Sequence, residues 1–164
     1  MNNLENPEII SDDILKAIEL IQSKCPEAVY GGSIALNAVG LLNRKVGDID
    51  IFFTDKHLYS LRGEGFLSLP STEILSDTVT DTNGKLVQRT GLKVNGIKVC
   101  AFKVDPEQLQ HSLIKIFRPT IGKIFEIKIQ NVNYAIMAKI AYQYKKEKHD
   151  IDLAEINNIF NDAF

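Results

Sequence analysis

Two stretches decide the fold of this chain: Tyr30-Gly31-Gly32-Ser33 and Asp48-Ile49-Asp50-Ile51-Phe52-Phe53. The apolar run 28–30 stops at two glycines, which predicts a short strand that turns directly into a helix. That helix is expected to run for about three turns. Gly47 then turns the chain into a second strand over residues 48–53, whose apolar residues anchor it in a core while two acids stand at its exposed end.

The residue types in these stretches suit a phosphate and a metal ion. A two-residue spacing on a strand puts the Asp48 and Asp50 carboxylates on one face, and magnesium prefers such hard oxygen ligands. Gly31 and Gly32 lack a Cβ atom, so an anion can approach their backbone at the start of a helix. Ser33 is expected to cap that helix or to donate its hydroxyl to a phosphate. An ordinary tight turn and two solvated acids remain the alternative.

The two stretches together resemble the signature of the nucleotidyltransferase superfamily related to DNA polymerase β. That signature is an apolar residue, Gly, then Gly or Ser, a helix, and Asp-x-Asp within apolar residues. The resemblance implies an α/β (α+β) fold, a mixed β-sheet flanked by helices with a helical C-terminal segment, in one domain over residues 1–164. It further implies Mg²⁺, with two ions possible, held by Asp48 and Asp50. An NTP would be the substrate, its triphosphate held by Gly31, Gly32 and Ser33.

The C-terminal part is similar to the minimal bacterial nucleotidyltransferases grouped with AbiEii-type toxins. Lys139 matches that group's helix lysine and Asp150 its later aspartate, with Asp152 as a near neighbour. The resemblance implies that Lys139 faces the triphosphate and that Asp150 supports the site. It also implies a toxin or phage-defence role, an antitoxin partner, and an acceptor that is a tRNA end, a protein or a small molecule. A solvated helix lysine is the alternative for Lys139, and His149 is expected at the surface.

One acid of the superfamily pattern is missing. A third carboxylate, which activates the attacking hydroxyl, is expected on the strand that includes residues 97–102, but Cys100 stands there. A thiol is a poor magnesium ligand, so Cys100 is expected to be a small buried residue. Asp105 and Glu126 are the two candidate replacements. If neither serves, two alternatives remain: the fold binds a nucleotide without transferring it, as a sensor or regulatory protein would, or a group of the substrate acts as the base. An unrelated α/β interaction domain is a third possible function.

Composition restricts the class of protein further. The 164 residues carry a net charge of −2, which offers no general basic surface for DNA, although Lys145, Lys146 and Lys148 form a local basic group. Two cysteines, Cys25 and Cys100, give no disulfide framework. No apolar run approaches the roughly 20 residues of a membrane helix, so a cytoplasmic protein without membrane contact is expected.

The remaining pattern predicts the other elements. A helix capped by Ser11 or Asp12 should end at Pro26, and Gly63, Gly65 and Pro70 predict loops. Asn95-Gly96 predicts a hairpin turn. The predicted strands are 86–94, 97–104, 113–117 and 123–129, and helices are predicted from about residue 134 and after Asp150 or Asp152, with residues 145–148 as an exposed charged helix end.

Overall fold

The computed structural model describes residues 3–54, 69, 74–80, 86–141 and 146–163. These contain seven strands, four α-helices and two short 3-10 helices, Asn3–Glu5 and Pro106–Leu109. The strands are β1 (Val29–Tyr30), β2 (Ile49–Phe53), β3 (Ile74–Thr80), β4 (Leu86–Val94), β5 (Ile97–Lys103), β6 (His111–Arg118) and β7 (Lys123–Gln130). The helices are α1 (Asp12–Lys24), α2 (Gly32–Ala38), α3 (Val132–Ala141) and α4 (Lys146–Ala163).

The strands form one mixed sheet in the order β3-β4-β5-β2-β1-β7-β6. Strand β2 is parallel to β5 and antiparallel to β1, and β1 is parallel to β7. The end of β1 therefore lies beside the beginning of β2, which brings the glycine turn next to the two acids. The expected mixed α+β architecture with a helical C-terminal segment is confirmed at this level.

The core lies mainly on one side of the sheet. Every second residue along the central strands faces this side, and such residues, Ile49, Ile51 and Ile129 among them, are buried in one cluster with residues of all four α-helices. The opposite side carries a smaller cluster, in which the rings of Phe52 and Phe102 stack with centroids 5.3 Å apart. Because Asp50 precedes Phe52 by two residues, it belongs to this second side of the sheet.

Several local signals work as predicted. The Ser11 side chain accepts a hydrogen bond from the Ile14 backbone at the start of α1. Asn95 and Gly96 both have positive φ angles, 52° and 77°, as a two-residue hairpin turn between β4 and β5 requires. The β6–β7 hairpin turns at Gly122, whose φ is 70°.

Other elements differ from the prediction. Helix α2 has seven residues, about two turns, and its N-cap is Gly31 without a side-chain cap; Ser33 lies inside the helix. Helix α4 begins at Lys146, so Asp150 and Asp152 lie within it rather than before it. Strand β3 had no clear signal in the sequence. The loops predicted at Gly63, Gly65 and Pro70 lie outside the described residues.

None of the helices in the described part of the chain combines the length and apolar character that crossing a bilayer requires.

Candidate functional site

The glycine turn fits tightly against β2. The Gly31 N–H donates a hydrogen bond of 2.9 Å to the Asp50 carbonyl oxygen. Gly32 has a φ of 53°, in the left-handed region, and a Cβ atom there would overlap Oδ2 of Asp50. A Cβ atom at Gly31 would overlap the Phe52 ring. Gly31 is therefore required by the space that the Phe52 ring leaves. At Gly32 the positive φ favours glycine, and a Cβ atom there would force the end of the Asp50 side chain to move.

A cleft opens where the two motifs meet. It is lined by side chains from α2, the segment before β2, β2 itself, α3 and α4, namely Ser33, Arg44, Asp48, Asp50, Lys139, Lys148 and His149. The structure therefore brings together the two predicted acids, the serine and the predicted lysine. Ser33 is buried, while Asp48 and Asp50 are half-buried and keep access to the cleft.

Two of the predicted residues behave differently. Asp150 is exposed and is not among the residues that line the cleft. His149, expected at the surface, is only 8% exposed and does line the cleft. The reason is the early start of α4, which turns His149 inward and its neighbour outward. In the predicted charged helix end, Lys148 is exposed at the cleft, whereas Lys145 lies outside the described residues.

A buried ion cluster underlies the cleft. Asp152 is 1% exposed and receives two hydrogen bonds of 2.7 Å from Arg44, and one of 2.6 Å from Lys139 Nζ. Burial alone would raise the pKa of Asp152, but the hydrogen bonds from Arg44 and Lys139 outweigh it and hold that pKa below its usual range. Lys139, itself 8% exposed, is thus held by a carboxylate at the edge of the cleft.

Neither Asp152 as the central partner nor Arg44 was predicted from the sequence. A signal for Asp152 exists in hindsight: His149, Asp152 and Ile156 follow a spacing of three and four residues and are all buried, so they form the inward stripe of α4. Asp150 lies off that stripe. Arg44 has no comparable signal, because it stands in the irregular segment between α2 and β2.

The expectation that Cys100 is a small buried residue is confirmed. Cys100 is the register partner of Asp50 on the adjacent parallel strand, and it is 1% exposed within the smaller core cluster. The next strand thus presents a small, weakly polar side chain where a carboxylate would meet Asp50.

The two candidate replacements lie elsewhere. Asp105 follows the far end of β5, five residues beyond Cys100, or roughly 16 Å along the strand direction. Glu126 pairs with Lys115 and lies four residues before Gln130, which is level with Asp50, a separation of roughly 13 Å. Neither side chain reaches a metal ion bound at Asp50.

Within the described residues, few side chains at the cleft are candidate metal ligands. Across the described ranges, no three His, Cys, Asp or Glu side chains come close enough to one another to hold a metal ion as a group. The paired carboxylates of Asp48 and Asp50 are the oxygen ligands that the cleft offers. A cation bound there must complete its coordination with water or with oxygens of a ligand.

Comparison of the chain with protein-family models, with curated proteins and with solved structures finds no match in any of the three. The resemblance of this site to nucleotidyltransferases therefore depends on its own residues and their arrangement.

Proposed function

We propose that the protein binds an NTP together with Mg²⁺ and transfers its nucleoside monophosphate to an acceptor. In this reaction a bond forms between an acceptor oxygen and the α-phosphorus, the bond from the α-phosphorus to the bridging oxygen breaks, and pyrophosphate leaves. The observation that carries the proposal is the direct fit of Gly32 against the Asp50 carboxylate, with Asp48 lining the same cleft.

The donor set suits magnesium. Asp48 and Asp50 are the residues that would hold it, and two carboxylates with substrate phosphates are a common magnesium environment. When bound, the ion would offset phosphate charge and polarise the phosphate that is attacked. The requirement for glycine beside Asp50 supports this assignment, because the carboxylate stands directly against the turn that is proposed to hold the phosphates.

The cationic side chains would stabilise the triphosphate. Arg44, Lys139 and Lys148 line the cleft, and Lys139 is the residue proposed to offset the charge that develops on the leaving pyrophosphate. Asp152 orients Arg44 and Lys139 through their hydrogen bonds. Because the short helix α2 supplies only a weak dipole, these side chains carry most of the favourable electrostatics.

A second candidate function is favoured by Cys100. With a thiol level with Asp50 and with Asp105 and Glu126 remote, the carboxylate beside Asp50 among the described residues is that of Asp48, which is itself assigned to the metal ion, so a separate base for an attacking hydroxyl is not seen there. The alternative is a sensor or regulatory protein that binds NTP and magnesium without transfer. The acceptor class (tRNA, protein or small molecule) and the toxin or phage-defence role with an antitoxin partner remain proposals that follow from the resemblance.

One experiment separates these functions. Calorimetric titration of the whole protein with each NTP, with and without Mg²⁺, is combined with α-labelled NTP and separate pools of RNA, protein and small metabolites as acceptors. Magnesium-dependent binding with label transfer and pyrophosphate release supports the enzyme. Binding without transfer to any pool supports the sensor. No magnesium-dependent binding of any NTP overturns both and favours an unrelated interaction domain.

A further inference from the structure

A buried asparagine connects two of the residues that line the cleft. Asn37 lies in the last turn of α2, and its side chain is fully buried. Its Nδ2 atom donates a hydrogen bond of 2.7 Å to the Ser33 carbonyl oxygen, one turn earlier in the helix. Its Oδ1 atom accepts a hydrogen bond of 3.2 Å from the Arg44 backbone N–H. Both ends of the amide are thus used, and they join the helix that follows the glycine turn to the segment that carries Arg44.

The segment that carries Arg44 is irregular, so its position depends on hydrogen bonds from other parts of the chain. The Leu42 carbonyl oxygen accepts one of 3.0 Å from Asn3 Nδ2. The Val46 N–H donates one of 2.7 Å to the Ile9 carbonyl oxygen. These two bonds come from the N-terminal segment and hold the chain on either side of Arg44. The bond to Arg44 itself comes from α2, the helix that begins at the glycine turn.

The guanidinium group of Arg44 is oriented by partners of its own. Asp152 accepts hydrogen bonds of 2.7 Å from Nε and from Nη2, and the Lys45 carbonyl oxygen accepts one of 3.3 Å from Nη1. A guanidinium carries five N–H groups, so these partners use three and leave one N–H on each terminal nitrogen. Arg44 lines the cleft, and its side chain is 26% exposed. Two such N–H groups match two oxygens of one phosphate group.

Recognition of a phosphate by two N–H groups requires that both ends of the arginine side chain are fixed. Asp152 fixes the guanidinium end, and Asn37 fixes the backbone end relative to α2. Because the side chain is ordered before a ligand arrives, less conformational entropy is lost on binding. A buried asparagine whose role was confined to α2 would bond to Ser33 alone, whereas this one also reaches out of the helix to a second cleft residue.

We propose that Asn37 is a positioning residue, which holds Arg44 so that its two remaining N–H groups face a phosphate in the cleft. The inference rests on the proposed function for the identity of that phosphate, which belongs to the triphosphate of the NTP. Asn37 itself lies inside the fold and does not line the cleft. Its replacement should therefore lower the affinity for phosphate only as far as Arg44 contributes to it.

The test is a double-mutant cycle between Asn37 and Arg44. Asn37→Leu has a similar volume and lacks both polar atoms. Calorimetric titration of the whole protein with inorganic tripolyphosphate in Mg²⁺ measures binding of the phosphate chain without a nucleobase. We expect Asn37→Leu to weaken this binding roughly tenfold, because charge-assisted hydrogen bonds from Arg44 are lost. In an Arg44→Met background the same change should weaken binding less than about twofold.

Two further variants separate positioning from stability. Asn37→Thr carries a hydroxyl that can bond to the Ser33 carbonyl oxygen but is too short to reach Arg44, so it should bind as weakly as Asn37→Leu. Asn3→Leu is the matched control, because it removes an asparagine side-chain bond to the same segment, at Leu42, without changing a bond to a cleft residue. It should bind tripolyphosphate like the wild type. Urea unfolding shows which variants fold, and the cycle uses Asn37→Thr if Asn37→Leu does not.

Equal weakening in the wild-type and Arg44→Met backgrounds, equal weakening by Asn3→Leu, or unchanged affinity in a folded Asn37 variant would overturn the positioning role. A second readout needs no ligand: the NMR signal of the Arg44 Nε–H and hydrogen exchange at its backbone amide. We expect Asn37→Thr to shift that signal and speed that exchange, and Asn3→Leu to change neither. If the wild type binds neither tripolyphosphate nor an NTP, the proposed function fails, and this second readout alone decides whether Asn37 positions Arg44.

Discussion

Gly32 links the two halves of the site at the level of single atoms. Its φ is positive and its missing Cβ atom leaves the space that Oδ2 of Asp50 occupies. From the sequence, the glycine at position 32 is explained by a phosphate that approaches its backbone closely. The structure adds a second, steric explanation, which is the contact with the Asp50 side chain. That reason could not be predicted from the sequence, because the contact joins the first residue of α2 to a residue of β2, and it depends on the register in which β1 pairs with β2.

Replacing Gly32 by alanine should displace the Asp50 carboxylate and abolish magnesium-dependent NTP binding. A left-handed alanine also costs about 1–2 kcal/mol of folding free energy, so stability must be measured alongside binding. Gly122→Ala is the matched control, because Gly122 has a φ of 70° and open space around its Cβ position. Calorimetric NTP titration and urea unfolding provide the two readouts. Equal NTP affinity in both variants would remove Gly32 from the site.

Asp152 is the residue on which the cationic side of the cleft depends. Replacing it by asparagine leaves Arg44 and Lys139 without their carboxylate, and breaking a buried pair typically costs about 3–5 kcal/mol. We expect that loss in urea unfolding at pH 7. Asp150→Asn, an exposed acid on the same helix, should change stability by less than about 0.5 kcal/mol.

The stability difference between wild type and Asp152→Asn should depend on pH with a defined sign. Because the folded-state pKa of Asp152 lies below its ordinary value of 3.8, the stabilisation is complete above that value and disappears as the pH falls through the lower folded pKa. Urea unfolding from pH 7 down to pH 2.5 measures the difference. A gap that stays constant over this range would show that the ion cluster does not depend on an ionised Asp152.

Secondary-structure elements that depend on contacts a few residues apart could be predicted from the sequence, whereas features that depend on packing between elements could not. The Ser11 cap and the Asn95–Gly96 turn each fix an element through contacts a few residues apart. The length of α2 and the start of α4 depend on packing between elements, so both were predicted wrongly. The prediction of Asp150, rather than Asp152, as the aspartate that supports the site has the same cause. Which residues of α4 face inward depends on where that helix begins and how it packs.

Lys93 on β4 and Lys98 on β5 lie directly opposite each other, and this pairing should affect the stability of the fold. Lys98→Gln removes the repulsion between directly opposed lysines and should raise the free energy of unfolding by about 0.2–1 kcal/mol at low salt. The gain should shrink as salt screens the charges. The midpoint of urea unfolding at two salt concentrations measures it. A loss of stability on substitution would indicate that Lys98 has a structural partner in the folded chain.

At the scale of the whole molecule, the order and direction of the strands bring the residues of the candidate site together. Antiparallel pairing of β1 with β2 places the glycine turn beside the acids, and helices α3 and α4 then bring Lys139 and His149 to the same cleft from the far end of the chain. The acids and glycines could be predicted because each lies in a short motif. Arg44 and His149 could not, because their positions depend on how distant segments pack.

The proposed function depends on a metal ion that Asp48 and Asp50 hold and that a bound NTP shares. The most direct measurement is calorimetric titration of NTP, with and without Mg²⁺, into the wild type and into the combined Asp48→Asn and Asp50→Asn variant. Asp105→Asn with Glu126→Gln removes two carboxylates far from the cleft and serves as the control. We expect magnesium-dependent binding to weaken at least 100-fold in the first variant alone, while both variants unfold like the wild type. Undiminished magnesium-dependent binding by a folded Asp48→Asn and Asp50→Asn protein would contradict it.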